Sequence, residues 1–507
     1  MPETLRVPVA EYAPDQPTYP GTGAAVVKNV YPRTQISYGP VGSQSAMYNA
    51  LTARCRGGFG VRDKLGDTFI FAGDANDLYL MKAGLSAWLN VSLLAGGYAA
   101  GDAWRFTYFN GDVIATNYGN PPQYFTLIGG SAFADVGGTP PRAKFISTVK
   151  NAFVVLGNTY DSENGEMPQR VWWGAAGNAH DWPLLGSNDA AEKQSSSVDL
   201  LGPAGEVMGF APELMNADAI VFQERGVRRM TYTGPPTTFS FLPVENARGC
   251  VASDSIVVNG GIAYYWGQDG IYAFDGDEAQ PIGADKIDKT VYDDVDVSNL
   301  SRIVGVADPK NKLIIWAYPS RQNSLGNPDR LLIYNWQLDR WSLVELTCET
   351  LLKVLSIGYT LDELETILGY LTVDVIPHPL SSDVWQGGRP HVATFNTDHK
   401  LTYLTGTPLA ATVDTAEAQP KAGLRTFIKS VRPLVDGEDS APSVAVGRRE
   451  RQQDLVSWSD AVALNAMGAC PVRRSGRYIT VRISVPESRT WSHISGVELD
   501  ATPQGTR

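Results

Sequence analysis

The sequence predicts an all-β fold: a β-propeller of six to eight blades with an extended N-terminal arm and a small C-terminal β-sandwich-like domain. Three observations favour it. Short strand-and-turn units recur through residues 46–410, and 50 Gly and 32 Pro supply turns throughout. Helical spacing is rare in the sequence, since residues 349–370 are the only sizeable stretch that has it. A periodic array of small antiparallel sheets is typical of a propeller, whose blades usually number four to eight.

The N-terminal segment, residues 1–45, contains seven Pro and little apolar periodicity apart from residues 24–30. Proline blocks helix formation and discourages pairing in the centre of a sheet. We therefore expect an extended arm that either wraps its own domain or reaches a neighbouring molecule.

Residues 46–410 are predicted to form the propeller. The unit is most compact at residues 261–276, where Asp269-Gly270 and Asp275-Gly276 predict tight hairpin turns, because glycine supplies positive φ without steric cost. Asn110-Gly111 predicts another turn. Six blocks are clear and a seventh, at residues 382–406, is less regular. The six lie at residues 67–81, 101–118, 144–155, 219–233, 255–274 and 303–334.

An aromatic residue closes many of these blocks, and we expect its ring to pack between neighbouring sheets, where a large flat side chain fills the wedge. These residues are Trp88, Phe125, Trp182, Phe241 and Trp341.

Residues 349–370 have helical spacing and predict a short helical insertion in a blade. Thr360 and Glu363 have the spacing of a capping box, which would start a helix there.

Residues 411–507 predict the second, β-sandwich-like domain. Its clearest strand alternates apolar with polar residues, so that one face is expected to be buried. The apolar positions are Ile479, Val481, Ile483 and Val485.

The formal charge of −12 and an isoelectric point near 5.0 argue against a general phosphate-neutralising face for DNA and against a basic membrane-docking face. A run of 18 apolar residues and a charged-then-apolar N-terminus are both lacking, so we expect neither a membrane span nor a secretory signal, and assembly in a host cytoplasm. The cysteines have no CxxC spacing and are interpreted as ordinary buried thiols. They are Cys55, Cys250, Cys348 and Cys470.

The sequence contains no HExxH, GxSxG or Walker pattern of the kind that marks catalysis or nucleotide binding. The Gly-rich segment 56–60 lacks the Lys-Ser/Thr of a P-loop and is interpreted as a turn. His391 and His399 could approach each other across a hairpin, but a surface or packing role is favoured. The acidic stretch 285–296 lacks the Gly and terminal Glu of a calcium loop. We expect no cofactor, no metal and no enzyme activity.

Basic residues are concentrated near the C-terminus, against the negative charge of the chain. They could mark a face that meets an acidic partner or nucleic acid, or they could be solvated strand edges protected from mispairing. This possible partner-contact patch consists of Arg448, Arg449, Arg451, Arg473, Arg474, Arg477 and Arg482.

Several segments, in order, resemble the tail nozzle, or packaged-DNA stabilisation, proteins of short-tailed bacteriophages. The N-terminal residues 11–21 also resemble the extended opening of such proteins. The segments are CRGGFGVRDKLGDTFIFAGDANDLYL (55–80), RVWWGAAGNAHDWP (170–183), GIYAFDGDEAQPIGADKID (270–288), DRLLIYNWQLDRWS (329–342) and GRYITVRISVPESRTWSHISGVELDA (476–501).

The resemblance implies a structural virion protein of the phage tail that forms a homohexameric ring below the portal and adaptor rings. Such a ring would continue the DNA channel, retain the packaged genome and conduct it during ejection, without reading its sequence. The family has no catalytic residues to transfer. Six copies of a chain with charge −12 would carry −72 formal charges, and an acidic lumen would repel DNA phosphates.

Two alternatives remain open from the sequence. One is a glycan-binding or receptor-binding tail propeller, possibly a glycoside hydrolase, although the repeated acidic boxes of sialidase blades are missing. The other is a scaffold propeller that binds proteins through one face, although GH…WD repeats are missing.

Overall fold

The computed structural model describes residues 3–93, 97–99, 101, 103–214, 216–367, 369, 376, 380 and 382–505. Within these residues, seven four-stranded antiparallel units surround one axis, which confirms the predicted β-propeller. The first strand of every unit borders a cavity on that axis, so the units are radial blades.

Blades one to four follow one another along the chain, and each has four strands. Blade one contains Gly57–Arg62, Thr68–Gly73, Leu78–Lys82 and Leu89–Asn90. Blade two contains Arg105–Phe109, Asp112–Thr116, Gln123–Thr126 and Ala134–Asp135. Blade three contains Arg142–Val149, Phe153–Asp161, Gly165–Trp173 and Ser196–Asp199. Blade four contains Val207–Leu214, Ala217–Gln223, Val227–Gly234 and Thr238–Glu245.

Blades five and six continue the pattern, and blade seven completes the circle. Blade five contains Val257–Asn259, Ile262–Trp266, Ile271–Phe274 and Ala279–Pro281. Blade six contains Val304–Asp308, Leu313–Tyr318, Arg330–Asn335 and Arg340–Glu345. Blade seven contains Thr350–Leu355, Pro390–Phe395, Leu401–Tyr403 and Ser45–Ala46.

The outer strand of blade seven therefore comes from the N-terminal segment. Ser45 lies opposite Tyr403 and Ala46 lies opposite Thr402 in an antiparallel ladder. Because residue 46 precedes blade one and residue 403 ends the last blade, this pairing ties the two ends of the propeller together through backbone hydrogen bonds.

Two further sheets form the predicted sandwich, and both use N-terminal strands. One contains Glu3–Pro8, Val30–Thr34, Ser37–Pro40, Thr426–Asp436, Arg474–Gly476 and His493–Pro503. The other contains Val27–Lys28, Ala411–Asp414, Ser443–Arg449, Ser457–Trp458, Val462–Ala463 and Tyr478–Val485. Outside these sheets, Glu11–Tyr12 pairs in parallel with Gly23–Ala24.

The sandwich core contains the apolar positions predicted from the alternation in residues 479–485, each of which is at most 3% exposed. They pack in one cluster with Ile428, Val431, Val497 and Leu499 of the facing sheet. The N-terminal segment is thus part of this domain, although the sequence predicted separate units at residues 1–45 and 411–507. Pro8 and Pro40 end their strands, and Pro32 lies where the register of its pairing shifts.

The sandwich and the propeller share one continuous sheet. The Val27–Lys28 strand lies between the last strand of blade six and the first sandwich strand of residues 411–414, with Lys28 opposite both Leu343 and Thr412. Buried side chains of blades five and six also join the sandwich core. The two modules are therefore joined through backbone pairing as well as side-chain packing.

The described helices are short. The α-helices are Asn188–Glu192, Asp288–Asp294 and Leu361–Thr366, and the 3-10 turns are Ser253–Ser255, Val297–Arg302 and Asp383–Trp385. The capping box at Thr360 and Glu363 is confirmed. The helical insertion predicted at residues 349–370 begins instead with the first strand of blade seven, Thr350–Leu355, and residues 368 and 370 lie outside the described part of the chain.

The block-closing aromatics pack between blades, as predicted. Trp182 is 1% exposed among side chains of blades two and three. Phe125 lies 5.2 Å from Phe71 of blade one, centroid to centroid, and Trp88 lies 5.9 Å from Phe395 of blade seven. Large rings thus fill the widening space between radially arranged sheets.

The Gly-rich segment 56–60 is a strand, which corrects its interpretation as a turn. It begins the first strand of blade one, Gly57–Arg62. A Cβ at Gly60 would lie 2.7 Å from the Cα of Val354 and 2.9 Å from the carbonyl oxygen of Lys353 in blade seven. The glycine is there because two backbones approach closely near the axis.

Candidate functional site: the axial cavity

The axial cavity is the space of about 810 Å³ where the first strands of all seven blades meet. Its wall combines aromatic side chains with charged ones, and Trp104, Phe106, Phe145 and Phe210 are among the aromatic residues. Cavities with apolar side chains and placed polar groups are the usual form of a small-ligand site.

An ion pair spans this cavity. Arg105, at the start of blade two, donates from Nε to Asp254 Oδ1 at 2.7 Å and from Nη2 to Asp254 Oδ2 at 2.8 Å. Asp254 lies in the 3-10 turn that precedes blade five. Arg105 also donates to the carbonyl oxygen of Lys144 at 3.0 Å and lies over the ring of Phe145. The bridge joins distant blades and obstructs the axis of the propeller.

Three further arginines line the end of the cavity where the first strands begin. Arg54 and Arg56 directly precede blade one, and Arg302 precedes blade six. Because the first strands of radial blades run in the same direction along the axis, these residues lie at one end, which we call the cavity mouth. Arg56 donates to the carbonyl oxygen of Gly101 at 2.9 Å, and Arg302 to that of Leu325 at 3.0 Å.

Besides Asp254, the cavity mouth contains the carboxylate of Glu349, which is 3% exposed. One oxygen accepts a hydrogen bond from the backbone N–H of Cys55 at 2.9 Å, and the other lies 2.5 Å from Nδ1 of His399. Both oxygens of this carboxylate thus have partners other than the three mouth arginines. His391, in contrast, packs edge-on against Tyr403, so the two histidines considered from the sequence have different partners and are not shown in contact with each other.

The structure does not gather the predicted C-terminal arginines into one open surface. Strand register places Arg449 and Arg482 on the outer face of their sheet, while Arg448, opposite Ile479, is on the face that covers the core. Arg482 forms a bidentate pair with Asp414 at 2.8 Å from both oxygens, so its charge is already balanced.

The other members of the possible partner-contact patch differ in exposure. Arg449 is paired with Glu417 and has an 11% exposed side chain. Arg451 and Arg473 are exposed, whereas Arg474 and Arg477 are half-buried. Two exposed arginines therefore remain where the sequence suggested a patch of seven.

The cysteines predicted to be ordinary thiols are all buried and free. Burial raises the pKa of Cys55, Cys250 and Cys348 to about 12 and that of Cys470 to about 11, which keeps them protonated.

Part of the predicted acidic stretch lies beside the N-terminal segment. Burial is the main cause that raises the pKa of Asp288 to about 7, and the charges of Asp15, Asp269 and Asp285 add to it. Among the described residues, no group of three or more His, Cys, Asp or Glu side chains is placed to hold a metal ion.

The sequence patterns did not predict that the residues of the axial cavity meet in one site. Arg105 and Asp254 are 149 positions apart, and neither belongs to a motif. Periodicity and turn signals predict strands, but they do not predict which strand starts meet at an axis.

Comparison with known proteins gives little. No family model matches the chain, and no curated relative matches it. Among solved structures, the crystal structure of the computationally designed Ika8 protein is similar over 71% of this chain and 99% of its own, with 9% identity and a TM-score of 0.36.

Across the part of the chain that the structure describes, no helix has the length and apolarity needed to cross a membrane.

Proposed function

We propose that this protein is a structural component of the tail of a short-tailed bacteriophage. Six copies would form a ring that continues the DNA channel, retains the packaged genome and conducts it during ejection. The partners would be further copies of this chain, the portal or adaptor proteins and other tail proteins. Its place would be the virion tail, after assembly in the host cytoplasm.

The observation that carries the proposal is where the nozzle-like segments lie. Residues 55–80 lie in blade one, residues 170–183 at the end of the third strand of blade three and in the loop after it, and residues 270–288 in and after blade five. Residues 329–342 lie in blade six, and residues 476–501 form two sandwich strands. The resemblance therefore covers both modules and their shared sheet.

The obstructed axis constrains the path of DNA in such a ring. With the cavity limited to about 810 Å³ and crossed by Arg105 and Asp254, a duplex would pass between subunits and outside the axis of each propeller. Six copies at −12 would give −72 formal charges, and an acidic lumen would repel phosphates, so that the genome could slide without adhering.

The proposal is tested on purified protein and on particles. The molar mass of purified protein, alone and with its neighbouring tail proteins, would be measured by light scattering. Electron microscopy of the same samples and of particles should show a sixfold ring, which in particles lies on the tail axis. Particles made without the protein should lose packaged DNA, and the same particles supplied with it should retain DNA. A protein that stays monomeric with its neighbours, and particles that keep their genome and infect without it, would contradict the proposal.

A further inference from the structure

The charge of the axial cavity is opposite to that of the whole chain. Six basic residues and two acidic residues line it, whereas the chain carries a net charge of −12. The basic residues are Arg54, Arg56, Arg62, Arg105, Arg302 and Lys353, and the acidic residues are Asp254 and Glu349.

Both acidic side chains already have partners. Asp254 is held by the two hydrogen bonds from Arg105. Glu349 accepts from the backbone of Cys55 and contacts His399. Among the described residues, the three mouth arginines form no ion pair with a carboxylate, and each contributes a full positive charge because a guanidinium stays protonated.

Among the three mouth arginines, Arg54 has the guanidinium with the fewest hydrogen-bond partners among the described residues. Its Nε is buried and has no hydrogen-bond partner among the described residues. Burial lowers the pKa of Arg54, and the nearby charges of Arg302 and Arg56 lower it further, while Glu349 acts in the opposite direction. Arg54 as a residue is half-buried, and a partly desolvated cation beside two like charges is stabilised by an accompanying anion.

We propose that the cavity mouth binds a phosphate-type oxyanion through Arg54, Arg56 and Arg302. Guanidinium groups recognise phosphate oxygens with paired N–H donors, and three arginines that line one end of a cavity offset the charge of an anion there. Phe106 and Phe145, which also line the cavity, leave room for a small group attached to the phosphate. The oxyanion can come from free phosphate or from a phosphorylated nucleic-acid end. This site does not depend on the proposed tail role.

Binding would be measured by isothermal titration calorimetry of the full chain with sodium phosphate, at constant ionic strength set with sodium chloride. We expect saturable binding to the wild-type protein, weakened about tenfold or more in Arg54→Gln and in Arg302→Gln, since each substitution removes charged hydrogen bonds. Arg451→Gln is the matched control, because Arg451 is an exposed arginine of the sandwich, and it should bind as the wild type does.

A second arm uses short thymidine oligonucleotides with and without a 5′-phosphate. Binding of inorganic phosphate, with the same loss in both variants, supports a free-ion site. Binding of the 5′-phosphorylated oligonucleotide alone supports a site for nucleic-acid ends. Absence of saturable binding by both probes, or equal binding by wild type, Arg54→Gln and Arg302→Gln, overturns the proposal. Arg54→Gln lacks one half-buried cation that lies near the like charges of Arg56 and Arg302, so its thermal midpoint without phosphate should equal or exceed that of the wild type.

Discussion

Arg105 and Asp254 form a bidentate ion pair across the axis of the propeller, between the start of blade two and the turn before blade five. Only 12% of the Arg105 side chain and 21% of the Asp254 side chain are exposed. The pair thus acts as an internal brace between blades that are not neighbours in the ring.

Breaking this brace should destabilise the protein. Arg105→Gln leaves the poorly solvated carboxylate of Asp254 without the two hydrogen bonds from Arg105, and Asp254→Asn removes the charge that balances Arg105 across the cavity, so for each we expect a loss of about 2–3 kcal/mol in the free energy of unfolding. Urea unfolding followed by tryptophan fluorescence would measure it. The double variant should lose less than the sum of the single variants, because the two residues are coupled.

The matched control for the brace is Arg489→Gln. Arg489 and Asp439 also lie 2.7 Å apart, but 43% and 61% of their side chains are exposed. This surface pair should contribute less than about 1 kcal/mol to the free energy of unfolding. Equal losses for the axial and the surface pair would show that Arg105 does not brace the propeller.

Asn29 is predicted to hold the sandwich to blade six. Its Nδ2 donates to the carbonyl oxygen of Ala410 at 2.7 Å, its Oδ1 accepts from the backbone of Glu345 at 2.8 Å, and its φ is 60°. Asn29→Ala loses both hydrogen bonds and strains the left-handed backbone, so we expect a loss of about 2–3 kcal/mol.

Asn29→Gly separates the two contributions to that loss. Glycine adopts positive φ without strain, so this variant should lose about 1 kcal/mol, from the hydrogen bonds alone. Both variants would be compared by urea unfolding. An Asn29→Ala variant as stable as Asn29→Gly would mean that backbone conformation at this junction contributes nothing.

Gly60→Ala should force blades one and seven apart. The added methyl group would meet the backbone of Val354 at 2.7 Å, and backbone cannot rotate away as a side chain can. We expect a loss of about 1–3 kcal/mol, as for other overpacked sites. Gly505→Ala is the control, since no atom lies within 4 Å of the added Cβ. Thermal unfolding of both variants tests this, and equal midpoints would contradict close blade packing.

Asp288 should make stability depend on pH between about 4 and 7. Its pKa is raised from the ordinary value of 3.8 to about 7 in the folded protein, mainly by burial. The folded state therefore binds the proton more tightly than the unfolded state, so the contribution of Asp288 to stability falls as pH rises through this range and is constant above it.

Asp288→Asn removes this titration while keeping an acceptor for the backbone N–H of Ile271, which lies 3.3 Å away. The thermal midpoint of this variant should exceed that of the wild type at pH 8 by about 1–3 °C and match it near pH 4, where the carboxyl group of Asp288 is protonated in the folded state and largely protonated in the unfolded state. Asp285→Asn, at an exposed neighbour, controls for the loss of a negative charge. The same pH profile in wild type and Asp288→Asn would refute the assignment.

The conformation of a turn was predictable from the sequence where the turn residues alone decide it. Asn110 and Gly111 have φ values of 47° and 99° and form the two-residue turn that their sequence predicts. Gly270 does not have a positive φ. It ends a four-residue loop, and a Cβ there would lie 2.6 Å from the carboxylate of Asp288. Glycine is required at position 270 by this close approach of Asp288 and not by the predicted turn type.

The first strand of blade seven was also not predictable from local sequence alone. Leu351, Leu352 and Val354 are buried in a strand near the axis. A short apolar run of this kind fits a helix and a strand buried on both faces equally well, and periodicity alone does not separate them. The surrounding blades decide between the two structures.

The sequence alone determined that the chain is all-β, where most hairpins lie and which face of residues 479–485 is buried. Those features follow from the two-residue period of strands and from turn residues, which act over a few positions. The tertiary structure alone decided that Ser45–Ala46 closes blade seven, that N-terminal strands complete the sandwich, and that Arg105 meets Asp254. These contacts join residues far apart in the chain, and only the packing of complete sheets fixes such pairings.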